Sequence, residues 1–258
     1  MTRKRNQRSG SRRTFLKTVS GVAAGLAVPV TAAAATDEDQ RQDEREKFEK
    51  ISKKRRNLST EEFHTELKEA GFEVYSSSYE YAISDNGETV KEKNEDEISP
   101  ESFPEGDLTT NVSLFVGGAG SYADLDWTVD TGFWEDGAPP VDNITLAWSD
   151  NQYLYDGEAN HASDGDISLR TRDAAGAVWQ WDDENGVGET DSAEGNVTAY
   201  LQSQGDCHTR QIYGTYEHTW GDISVQSISI GSGGVSIVYS DETKRWKVFP
   251  SDEFEGTC

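Results

Sequence analysis

Two cysteines, one methionine, four histidines and only 24 Lys and Arg against 48 Asp and Glu are spread over 258 residues. Each shortage closes off a class of function. With no C-x-x-C pair, zinc ribbons and dithiol redox sites cannot be assembled. Four histidines leave no H-E-x-x-H, and a G-x-S-x-G elbow and a P-loop are also missing. No apolar run reaches the ~18 residues that a helical membrane span needs. The acidic balance repels nucleic acid phosphate and anionic lipid, so neither is expected as a partner.

What basic charge there is begins the chain. All seven basic residues before position 18 stand in a stretch without an acid, so removing the first 35 residues leaves 17 basic against 48 acidic side chains, a formal charge of −31. Ser11-Arg12-Arg13-Thr14-Phe15-Leu16-Lys17 is followed by a weakly apolar segment, 19–30, and then by Ala32-Ala33-Ala34-Ala35. This order resembles a twin-arginine export signal, with Arg12 and Arg13 as the pair read by the translocase and cleavage by a signal peptidase after Ala35. The resemblance implies a secreted, extracellular protein. No cysteine lies near the junction, so a lipobox is not expected there. The low pI and sparse lysine resemble those of haloarchaeal secreted proteins. Concentrated salt shortens the Debye length to about 3 Å at 1 M and removes the repulsion among the carboxylates.

Four segments are expected: the signal at 1–35, a charged helix or stalk at 36–57, a helix–strand segment with an acidic linker at 58–107, and a β-sandwich domain at 108–258. Residues 37–57 offer only Phe48 and Ile51 as large apolar side chains, and a helix there is expected to lack a core face. Their closing run, Lys53-Lys54-Arg55-Arg56, reads as a solvated face or, alternatively, as a processing site. Ser59 and Glu62 have capping-box spacing, with Leu58 and Phe63 as a staple, so a short helix is predicted over 60–70, ended by Gly71. Strand-like residues follow over 72–82. From Leu108 onward, short runs of period two alternate with Gly, Asn and Asp. They predict ten strands, at 110–115, 124–130, 143–148, 167–171, 177–181, 196–201, 211–220, 224–230, 234–240 and 245–249. The fold class expected is mainly β, an antiparallel sandwich or jelly roll preceded by a short helical segment.

Candidate sites are sparse. His218 alternates on one strand face with Tyr216 and Trp220, which suits a satisfied, partly buried histidine better than a catalytic base. Asp182-Asp183-Glu184 and the Asp124/Asp126 pair have the residue type for a glycoside hydrolase, but acids are so common here that such pairs arise by chance. Asp183-Glu184-Asn185-Gly186 and Asp164-Gly165-Asp166 carry calcium-type oxygens without EF-hand spacing. No cofactor is otherwise expected. Trp179 and Trp181 share a strand face and are the binding candidates, a platform on which sugar rings would stack, against the alternative that they fill a core short of Leu and Met. Asn57, Asn111, Asn143 and Asn196 head N-x-S/T sequons, and Cys207 and Cys258 are expected to form the one disulfide.

The reading is a secreted or cell-surface halophilic β-sandwich with a non-enzymatic binding role toward a carbohydrate or cell-surface partner. The alternatives are a polysaccharide-acting hydrolase using paired carboxylates and a bacteriocin-like antagonist released by cleavage after Arg56.

Overall fold

The computed structural model describes residues 31–83, 90–92, 106–130, 142–163, 165–182, 192–204, 210–219, 223–242 and 245–254. Helix α1, Thr31–Ser52, leads through a 3-10 turn, Arg55–Asn57, to helix α2, Thr60–Glu69. The predicted capping box is present: the Glu62 backbone N–H donates to Ser59 Oγ, and the Glu62 carboxylate accepts from the Ser59 N–H at 2.9 Å. At the other end Gly71 adopts φ +97°, the left-handed conformation that a side chain disfavours.

The strands are β1 (Glu73–Ile83), β2 (Val90–Glu92), β3 (Gly106–Val116), β4 (Ser121–Asp130), β5 (Asp142–Trp148), β6 (Tyr153–Ala162), β7 (Asp166–Asp173), β8 (Gly176–Asp182), β9 (Ser192–Ser203), β10 (Arg210–Thr219), β11 (Val225–Gly231), β12 (Gly234–Tyr239), β13 (Arg245–Val248) and β14 (Ser251–Phe254). All ten predicted strands are among them. One sheet runs β2-β1-β3-β4-β9-β6. The second runs β13-β10-β5-β8-β7, with β14 also paired to β10, and β11–β12 forms a sheet of its own. Every pairing is antiparallel. The chain is a mainly antiparallel β-sandwich with a short helical segment at its N-terminal side.

The core between the two large sheets is aromatic, as the shortage of Leu and Met requires. Trp127, Trp148, Trp179 and Trp181 are each at most 1% exposed, and Trp127 lies 5.5 Å from Trp181 and 5.8 Å from Tyr216. This corrects the sugar-platform reading of Trp179 and Trp181. The two do share a face of β8, but it is the face turned toward the first sheet.

Two further expectations change. The sandwich begins at β1 rather than near residue 108, since β1 pairs with β3 along its whole length, from Glu73↔Val116 to Ile83↔Gly106. The segment 36–57 is no free stalk: Phe48 is wholly buried and Ile51 nearly so. Phe48 stacks on Tyr122 at 4.0 Å and meets Phe72, Phe115 and Tyr200 edge-on or tilted within 6 Å. Arg45 reinforces the seat by pairing with Asp156 at 2.5 Å. The Ala119 N–H donates to the Glu44 carboxylate at 3.0 Å. A Cβ on Gly117 would run into that carboxylate, which would have to swing aside. Two apolar residues in a polar helix suffice because the sheet beneath supplies the rest of the cluster.

Candidate binding cleft

Antiparallel register sets the outer face of the first sheet in rows, residue beside residue across the strands. One row is apolar, Val74, Phe115, Tyr122 and Tyr200, and the helices sit on it. The next two rows are polar. The first is Ser76, Ser113, Asp124 and Thr198; the second is Ser78, Asn111, Asp126, Asn196 and His161. Two acids on a covered face need a cation, and the 3-10 turn delivers one. Arg55 Nη1 donates to Asp124 at 2.8 Å and Nη2 to Asp126 at 2.5 Å, while its guanidinium lies 4.4 Å over the Phe63 ring. The remaining carboxylate oxygens accept from Thr198 Oγ1 at 2.6 Å and Asn111 Nδ2 at 2.7 Å. Burial pushes the Asp126 carboxyl above its ordinary range, opposed by Arg55 and reinforced by Asp124. Burial also lowers His64, beside this network, to about 4, with Asp124 opposing and Arg55 and Lys68 assisting.

Arg55 therefore closes one side of a cleft between the turn and the sheet. Two adjoining hollows of about 380 and 190 Å³ share Arg56, His161 and Asn196 in their walls. Lys53, Glu49 and Glu158 border the larger, and Glu194 and Thr60 the smaller. Ser52 Oγ and His161 Nε2, in the wall of the larger hollow, are buried atoms with no hydrogen-bond partner among the described residues. Such atoms carry a desolvation cost that a ligand group or water relieves. Burial, and then Arg56, lower His161, with Glu194 opposing, so its imidazole is neutral at neutral pH. The cleft thus offers a hydroxyl, a neutral imidazole and side-chain amides, with charges of both signs at its rim. That set matches a hydroxyl-rich neutral ligand better than a compact ion.

The other predicted residues are placed as follows. The Asp124/Asp126 pair is bound to Arg55 and covered, which removes it as a hydrolase dyad. His218 is satisfied, its Nδ1 3.0 Å from Asp142, whose carboxylate also accepts from the Tyr216 hydroxyl at 2.6 Å and the Thr219 N–H at 3.1 Å. Among the sequon asparagines only Asn57 is exposed. Asn111 donates to Asp126, and Asn143 and Asn196 are buried, so these three do not face solvent as a glycan demands. Asp182 lies in β8, while Asp183, Glu184, Asn185, Gly186, Asp164, Cys207 and Cys258 lie outside the described residues, as do Arg12 and Arg13. Among the described residues no group of three or more His, Cys, Asp or Glu is placed to hold a metal ion. Of the basic run, Lys53, Lys54 and Arg56 are exposed as a solvated face would be, while Arg55 is locked beneath the turn.

Sequence reasoning missed Arg55, His161 and Ser52. A usable signal existed: Asp124 and Asp126 alternate with Ala123, Leu125 and Trp127 in a strand too apolar to be an edge, and acids there demand a buried cation.

The chain matches no protein-family model and no curated protein sequence. Among solved structures it is similar to the C-terminal domain of the Streptococcus pyogenes antigen I/II-family protein AspA, at 8% identity and TM-score 0.32 over 56% of this chain and 54% of that one. It is similar to the KRT10-binding region domain of the pneumococcal serine rich repeat protein PsrP, at 9% and 0.32 over 70% and 99%. A third is the Clostridium perfringens NetB toxin in the membrane inserted form, at 11% and 0.30 over 71% and 94%. The chain spans about half the length of the first of these. Likeness at this level transfers no function.

Proposed function

We propose that this chain is an exported binding module, without catalytic activity, whose cleft between the Arg55–Asn57 turn and the first sheet holds a short neutral saccharide. The observation that carries this reading is the pair of unpartnered buried polar atoms, Ser52 Oγ and His161 Nε2, in the wall of the larger hollow. Sugar hydroxyls donate and accept at once, so they can satisfy a hydroxyl and an imidazole together. Calorimetric titration of the mature chain with a panel of neutral oligosaccharides, in molar KCl, tests it. His161→Ala is expected to weaken binding about tenfold, the effect of one lost buried hydrogen bond. Absence of binding across the panel, or affinity untouched by His161→Ala, overturns the reading.

Export through the twin-arginine route is part of the proposal, supported by Ser11-Arg12-Arg13-Thr14-Phe15-Leu16-Lys17 and the alanines at 32–35. Replacing Arg12 and Arg13 by Lys keeps the charge but removes the planar donor fork. The precursor is expected to stay in the cell. Normal secretion of the double variant, seen by blotting cells and supernatant, excludes that route.

A further inference from the structure

The β11–β12 hairpin is a third layer of two strands, laid on the second sheet on the side of the sandwich opposite the cleft. Val225, Ile228, Ile230, Val235, Ile237 and Tyr239 pack it against Ala147 and Val178. Tyr239 fixes its root, accepting from Asn143 Nδ2 at 3.0 Å and donating its hydroxyl proton to Glu217. The hairpin stays where it is.

This layer ends before the sheet beneath it does. Past the outer edge of β12 lies a hollow of about 400 Å³, walled by Gly234, Val235 and Ser236 on one side, by Tyr213 and Thr215 of β10, and by Phe249. Phe249 is 55% exposed and carries Lys247 over its ring, 4.6 Å from the centre. Among the described residues no charged side chain lines the hollow, in a chain where 28% of residues are charged.

The edge itself offers hydrogen bonds. Ser232-Gly233 is a two-residue turn, so Gly231↔Gly234 closes the hairpin as a bonded pair and bonded pairs alternate from there. Ser236 therefore bonds back to Ser229, while Val235 and Ile237 turn their N–H and C=O groups outward. Tyr239, next in that series, shows the same phase, since its N–H donates to Glu242 at 2.9 Å and not to β11. Among the described residues β12 pairs with no strand but β11. Val235 and Ile237 are only 8% and 4% exposed, so little water reaches these outward peptide groups. Buried and unpaired, they carry a cost that one more strand removes.

We infer that this groove is the docking site for an extended segment of a partner polypeptide, which adds beside β12 as the third strand of the layer. Bonding to Val235 and Ile237 turns two side chains of the incoming strand, one residue apart, down toward Tyr213 and Phe249, and the one between them out to solvent beside Ser236. The segment thus has an apolar-x-apolar centre. Charge selects its flanks: the body, with 17 basic against 48 acidic side chains after residue 35, opposes an acidic segment and draws a basic one. A second copy of this chain does not fit by its own β12. The sheet that lies under that strand would have to occupy the space that β10 and Phe249 already fill.

Fluorescence anisotropy in molar KCl tests the inference, with the mature chain and labelled heptapeptides of lysine and serine around an apolar-x-apolar centre of valine, isoleucine, leucine or phenylalanine. Saturable binding is expected. Methylating the backbone nitrogens of the two apolar residues keeps the charge and side chains of the peptide but removes its bonds to the edge, and is expected to weaken binding about tenfold or more. Phe249→Ser, at a residue more than half exposed, is expected to weaken it about tenfold at an unchanged melting temperature. Four results overturn the inference: no binding across the set, affinity indifferent to methylation, affinity indifferent to Phe249→Ser, or a dimer in sedimentation that excludes the peptide.

Discussion

Arg55→Met is expected to abolish cooperative folding at neutral pH, the largest loss from any single substitution on the sheet's outer face. Methionine keeps the length and the contact with Phe63 but leaves Asp124 and Asp126 buried without their cation. Breaking a buried pair in this way costs about 3–5 kcal/mol, a large part of the ~5–15 kcal/mol that holds a domain together. The direction with pH follows from Asp126, which burial already raises and which loses the Arg55 contribution that held it down. A carboxyl whose folded pKa lies above its unfolded value favours the native state below the unfolded pKa and loses that contribution as pH rises through the folded one. Thermal melting of Arg55→Met should therefore improve from about pH 7 to about pH 4. Adding Asp124→Asn and Asp126→Asn should restore the transition at neutral pH. A single variant that melts like wild type would show that the network is not needed for the fold.

Phe48→Ala should come next, at about 3–5 kcal/mol. Its ring is wholly buried against four aromatic partners, and the tight sheet below cannot collapse into the space left by a benzyl group. The loss is also functional. With α1 loosened, the turn that carries Arg55 and Arg56 loses its position over the sheet, so saccharide affinity should fall together with stability. Urea titration measures the first effect and calorimetry the second. A drop in stability with affinity intact would separate the cleft from α1.

Much of this architecture could be read from the residues. Period-two runs located ten strands because each has one face on the core, and Ser59-x-x-Glu62 located α2 because its chemistry is local. Strand β6 escaped, since Asp156, Gly157 and Glu158 interrupt the alternation. The structure absorbs them in a bulge between Tyr155 and Gly157, where Gly157 takes φ +141°. The face shared by Trp179 and Trp181 was legible, but which of two faces is covered depends on how whole sheets stack. The cleft was least legible of all. Arg55 meets Asp124 and Asp126 across 69 and 71 residues of chain, and nothing in a run of four basic residues distinguishes the one that is buried.

The seating of Phe48 on Tyr122 and Tyr200 also bears on the order in which the molecule is completed. Helix α1 completes its set of partners only when β9, some 150 residues later, has been made and paired. Contacts this distant slow folding, because the intervening chain must close before they form. A helix that precedes every strand is thus among the last elements to be fully seated, and the cleft it shapes exists only once β9 is in place.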